Sequence, residues 1–100
     1  MSTNMFPTVN LKATGANIVK LRKARGLSVK DLQMYFGFEQ PQAIYKWQWG
    51  ESLPSVDNLY ALSKILNTPI DGILIGNDQD FFVLRGNIKL LLNKYIITTK

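Results

Sequence analysis

SVKDLQMYFGFEQPQAIYKWQWG, residues 28–50, decides the fold of this 100-residue chain. Ser28 stands three residues before Asp31, the spacing of a capping box, and Leu27 ahead of it can staple onto Leu32. That pattern predicts a short helix from Val29 to Phe36, stopped at Gly37. Pro41 then suits the first position of a helix, where its missing N–H has no partner to lose, so a second short helix is expected from Pro41 to just before Gly50. In that helix Ala43, Ile44 and Trp47 fall on one side and are expected in the core. Gln40, Gln42, Tyr45, Lys46 and Trp49 are left pointing outward.

Upstream, Asn10 is an acceptable N-cap, and Leu11, Ile18, Leu21 and Ala24 recur at helical spacing until Gly26. Downstream, Ser55 caps a helix whose stripe is Val56, Leu59, Leu62, Ile65 and Leu66, ending near Asn67. Thr68-Pro69-Ile70-Asp71 repeats the order of cap, first-turn proline and acid, which predicts a brief fifth helix through about Leu74. The fold class is therefore all-α, with five compact helices over residues 10–75. Residues 1–9 show no periodicity and contain Pro7, and read as a flexible N-terminal arm. Residues 76–100 form a C-terminal extension in which Phe81, Leu84, Ile88, Leu91 and Tyr95 alternate at spacings of three and four, as in a sixth helix. Gly86 would cost that helix about 1 kcal/mol, and the run Ile96 to Thr99 suits a strand equally well.

Composition narrows the chemistry. The chain has no cysteine and no histidine, which removes thiol nucleophiles, thiolate and imidazole metal ligands, and the usual general base. Its seven acidic residues are scattered through caps and loops, and no paired carboxylates or phosphate-cradling glycine loop can be assembled. No enzyme, metal or cofactor is expected. No apolar run approaches the roughly 20 residues that span a bilayer, and the first residues lack a leader pattern, so a cytoplasmic protein without membrane contact is expected. The net charge of +5 is unevenly spread. Lys12, Lys20, Arg22, Lys23, Arg25, Lys30 and Lys46 fall within residues 11–49 against only Asp31 and Glu39, whereas within residues 50–80 Lys64 alone faces Glu51, Asp57, Asp71, Asp78 and Asp80. A basic front half invites a polyanionic partner.

Leu21-Arg22-Lys23-Ala24-Arg25-Gly26-Leu27-Ser28, then Leu32, Gly37, Ile44, Trp47, Gly50, Pro54 and Ser55, then Leu59, Leu62, Leu66 and Pro69-Ile70-Asp71, resemble the Cro/CI-like (Xre) helix-turn-helix family. The resemblance covers about residues 10 to 75 and implies a lambda-repressor-like DNA-binding domain. It implies a bacterial or phage transcriptional regulator, a repressor, that lays its third helix in the major groove of double-stranded DNA. Such a groove admits one α-helix, with the preceding helix resting on the backbone. Base-reading candidates are Gln42 toward adenine, Lys46 toward guanine, Tyr45 toward a thymine methyl or a phosphate, and Gln40. Phosphate candidates are Ser28 and Lys30, with Trp49 lying on the sugar-phosphate backbone or against the Glu51 loop.

Several positions depart from the family pattern. The family arginine at Arg22 pairs with an acid, but Gln48 stands there, so an internal arginine–glutamine hydrogen bond is expected. The turn after Gly37 is one residue longer than usual, Val29 replaces a phosphate-binding glutamine, Gln33 replaces a small alanine at the helix crossing, and Glu51 and Ser52 replace basic residues. A homodimer is the expected form, joined through Phe81, Leu84, Ile88, Leu91 and Tyr95, although that stripe could equally pack back on the first and fifth helices. An antitoxin-like or other protein-interaction module on the same fold is the alternative.

Overall fold

The computed structural model describes residues 6–78. Five helices follow one another: α1 (Leu11–Ala24), α2 (Val29–Phe36), α3 (Gln42–Trp49), α4 (Val56–Ile65) and α5 (Ile70–Ile73). The predicted sixth helix and its stripe Phe81, Leu84, Ile88, Leu91 and Tyr95 lie outside the described residues.

Local hydrogen bonding sets the helix starts. Asn10 Oδ1 accepts from the Ala13 N–H at 2.9 Å, and Ser55 Oγ accepts from the Asn58 N–H at 3.2 Å. At α2 both halves of the capping box form: the Asp31 N–H donates to Ser28 Oγ at 3.0 Å, and the Ser28 N–H donates to Asp31 Oδ2 at 2.8 Å. Gly37 and Gly50 end α2 and α3 in the left-handed conformation, φ 72° and 77°, and Asn67 takes the same conformation at φ 52° after α4. Both prolines sit one position earlier than expected. Pro41 and Pro69 occupy the N-caps of α3 and α5, just outside the helices. Thr68 does not cap α5, because its hydroxyl donates back to the Leu66 carbonyl at 2.9 Å.

Val9–Ile75 form one compact unit. Its core draws on every helix: Ile18, Leu32, Ile44, Trp47, Leu59, Leu62, Leu66 and Ile73 are buried. The apolar stripes are narrower than the sequence suggests. Leu11 and Ala24 are exposed at the ends of α1, and Val56, assigned to the inner stripe of α4, is 77% exposed in the first turn after Ser55. Periodicity identifies a face, but a helix end that overhangs its neighbours exposes that face.

Two small residues on α1 do what the apolar pattern does not reveal. Gly15 is buried where α1 crosses α3, and a Cβ there would stand 2.4 Å from the Trp47 carbonyl oxygen. Thr14, 1% exposed, ties α1 to the end of the unit: its hydroxyl accepts from the Ile75 N–H at 2.8 Å and donates to the Ile75 carbonyl at 3.3 Å. Asn17 Nδ2 donates to the carbonyls of Gly72 and Ile73 at 2.9 and 3.0 Å. Thr14→Val keeps the shape and removes both bonds of the hydroxyl, leaving a backbone N–H unpaired. Urea denaturation is expected to show a loss of about 1–3 kcal/mol.

Outside this unit, Thr8 and Asn77 exchange two hydrogen bonds. The Thr8 N–H donates to Asn77 Oδ1 at 2.9 Å and the Asn77 N–H donates to the Thr8 carbonyl at 2.6 Å.

Candidate nucleic-acid interface

α3 has two distinct sides. Ile44 and Trp47 are buried and Ala43 packs half-buried beside them. On the opposite side, Gln42, Lys46 and Trp49 are exposed and Tyr45 is half-buried. Residues 42, 45, 46 and 49 are spaced i, i+3, i+4, i+7, which is one continuous face of a helix. Gln40 is also exposed, but it lies in the turn before α3.

The outward face is not four independent side chains. Tyr45 and Trp49 stack with ring centroids 5.5 Å apart and planes 22° from parallel. The Trp49 ring therefore lies along α3. Trp49 nevertheless remains 56% exposed.

The turn that aims α3 is packed from within. Phe36 and Phe38 stack at 5.0 Å, and both meet Trp47 edge-on, at 5.5 and 6.0 Å. Gln33, which stands where a small residue was expected, reaches forward: its Nε2 donates to the carbonyls of Phe38 and Glu39, each at 3.2 Å. Those two carbonyls belong to the lengthened part of the turn, and pointing them at a fixed amide holds the extra residue in place. The signal in the sequence was the pairing of two oddities, a long amide four residues before a glycine and a turn with one residue too many.

Arg22 is committed to the interior of the unit. Its Nε donates to Gln48 Oε1 at 2.9 Å, as expected, and a terminal nitrogen donates to the Leu27 carbonyl at 2.8 Å. This side chain links α1, the start of α2 and α3. The other cations of the front half, Lys12, Lys20, Lys23, Arg25, Lys30 and Lys46, are exposed.

At the N-terminus of α2 the predicted capping box closes around Ser28, the phosphate candidate. The Ser28 N–H is taken by Asp31, and its hydroxyl oxygen accepts from the Asp31 N–H. These bonds hold the Asp31 carboxyl below its ordinary pKa, first through the Ser28 backbone N–H and then through the Ser28 side chain. A carboxylate is thus fixed beside Ser28, while the backbone N–H groups of Val29 and Lys30 take no part in the capping box. α3, by contrast, has no side-chain cap at Pro41.

Among the described residues, no helix is long and apolar enough to cross a membrane, and no cluster of acidic residues could hold a metal ion.

Two short helices around a packed turn, braced by three others and presenting one outward helix face, define a helix-turn-helix unit. The chain belongs to the Cro/CI-like (Xre) helix-turn-helix family of DNA-binding regulators: that family's model, described as helix-turn-helix, matches residues 18–73. Among solved structures, the crystal structure of the DNA-binding domain of BldD is similar, with a TM-score of 0.57 and 21% identity over 66% of this chain and 94% of that one. At that identity the likeness is one of fold. No curated protein matches the chain.

Proposed function

We propose that this chain is a sequence-specific transcriptional repressor that reads the major groove with the outward face of α3. The observation that carries the proposal is the placement of Gln42 and Lys46, both exposed on that face while Ile44 and Trp47 anchor its back in the core. Gln42 has the paired donor and acceptor that match adenine N7 and N6, and Lys46 donates to guanine O6 and N7. Gln40 lies at the entrance to α3 and reads or brackets the adjoining base. Lys30 and the exposed cations of α1 neutralise phosphates, and Ser28 hydrogen-bonds one, which together set the register.

α3 has eight residues and is about 12 Å long at 1.5 Å per residue, which covers only about three to four base pairs. So short a reader favours a homodimer on a pseudo-palindromic operator, with Phe81, Leu84, Ile88, Leu91 and Tyr95 as the proposed dimer contact. Such a protein works where bacterial or phage DNA is transcribed, in the cytoplasm.

On a duplex recovered by selection from a random pool, Lys46→Ala is expected to lose about 1–3 kcal/mol of binding and its guanine preference at one position. An unchanged affinity and preference would remove Lys46 from the reading face. Sedimentation of the full chain is expected to show a dimer, and a monomer at high micromolar concentration would sink the dimer assignment. An antitoxin-like interaction module would instead select no site and would co-purify with a defined protein.

A further inference from the structure

We infer that Tyr45 and Trp49 form a single apolar reader for thymine methyl groups, next to the position read by Lys46. The inference rests on the groove-reading role of α3 proposed above and names what half of that face recognises.

The pair has no evident part in the core. It stands on the side of α3 away from Ile44 and Trp47, and the aromatic cluster of the unit is built separately from Phe36, Phe38 and Trp47. Two large rings are instead stacked on each other along the outer face, with Trp49 56% exposed. Stacking restricts both rings before any ligand arrives, so little side-chain freedom is left to lose on binding. An exposed and pre-ordered apolar plate suits a partner that offers small apolar groups.

A duplex offers few of these. Its base faces are already stacked on one another, and the apolar feature of the major groove is the C5-methyl of thymine. Phosphates and base-edge acceptors would instead be served by the donors of Gln42 and Lys46 on the same face. Tyr45 and Trp49 are four residues apart, a rise of about 6 Å along α3, against about 3.4 Å per base pair. The two rings therefore cover methyls roughly two base-pair steps apart, beside the guanine assigned to Lys46. The Trp49 ring, expected against the sugar-phosphate backbone, is reassigned to the groove.

Replacing thymine with deoxyuridine removes that methyl and changes no hydrogen-bonding group. The test is an anisotropy titration of the full chain on the duplex recovered by selection, with each thymine replaced in turn by deoxyuridine. Wild-type protein is expected to lose about fourfold in affinity at each contacted methyl, the equivalent of about 0.8 kcal/mol per buried carbon group, and little elsewhere. Trp49→Ala and Tyr45→Ala are expected to bind the thymine duplex more weakly and to lose the penalty for deoxyuridine at the position each ring covers.

Specific binding with a flat deoxyuridine scan would overturn the inference while leaving the groove-reading proposal intact; a protein partner seated on the rings would give that result. Undiminished deoxyuridine sensitivity in both alanine variants, or an equal loss on thymine and deoxyuridine duplexes, would overturn it too. Tighter binding to the single strands than to the duplex would point to base stacking instead and likewise overturn it. Failure to recover any duplex would remove the proposed function and this inference together.

Discussion

Replacing Gly15 with alanine is expected to lower the melting temperature by roughly 10–20 °C, from a cost of about 2–3 kcal/mol at the overpacked crossing. The added Cβ would lie 2.4 Å from the Trp47 carbonyl oxygen, 2.5 Å from the Gln48 carbonyl oxygen and 2.8 Å from the Gln48 carbonyl carbon. All three are backbone atoms of α3, so no side chain can rotate away and the two helices must part. Alanine would recover about 1 kcal/mol of helix propensity, which offsets only part of the clash. Gly50 guards the other end of the same crossing: at φ 77° it would place a Cβ 2.7 Å from Lys12 Cα. Since α1 holds α3 through this contact and through Arg22 to Gln48, the Gly15 variant should also bind DNA less well than its folded fraction predicts. A thermal melt within about 3 °C of wild type would show that α1 and α3 do not approach as closely as described.

Trp47→Ala is expected to cost about 3–5 kcal/mol, enough to leave a domain of this size largely unfolded at 37 °C. Trp47 is 4% exposed and meets the edges or faces of both Phe36 and Phe38, so its removal opens a cavity under α3 and also unseats the packed turn. Trp47→Phe should recover a substantial part of the stability by keeping a ring in the site. The measurement is chemical denaturation followed by circular dichroism, with emission read separately in a Trp49→Phe background, where Trp47 is the remaining tryptophan and should emit as a buried indole. A red-shifted emission in the native protein, or a loss below about 1 kcal/mol on truncation, would contradict its place in the core.

The parts of this fold that were legible in the sequence are those held by short-range bonds. Asn10, Ser28 and Ser55 cap their helices because an N-cap is satisfied within three residues, whatever the rest of the chain does. The Arg22 to Gln48 bond spans 26 residues and was reached through the family resemblance. What was not legible depends on neighbours distant in sequence. Nothing local says that Thr14 meets Ile75, that α3 crosses α1 at Gly15, or that Val56 overhangs the core. The two prolines were misplaced by one residue, since proline fits both the last non-helical and the first helical position and only the surrounding packing separates them. At the candidate site, helical spacing was enough to bring Gln42, Tyr45, Lys46 and Trp49 to one face. The Gln33 clamp and the Tyr45–Trp49 stack were not legible there, because each follows from the direction a side chain takes and not from its position.

The turn bears on function as much as the reading face does. A longer turn would ordinarily loosen the angle at which α3 leaves α2. Here Phe36 and Phe38 fill it and Gln33 ties its carbonyls, so α3 is held at a defined angle despite the added residue.

Whether the outward face of α3 reads DNA sequence is decided by selecting bound duplexes from a random pool with wild-type protein, Gln42→Ala and Lys46→Ala in parallel. Wild type is expected to enrich one defined site. Each folded variant is expected to lose preference at one or two positions of that site and to keep the others. Enrichment of no site by wild type, or retention of the full wild-type preference by both variants, would contradict a reading role for α3.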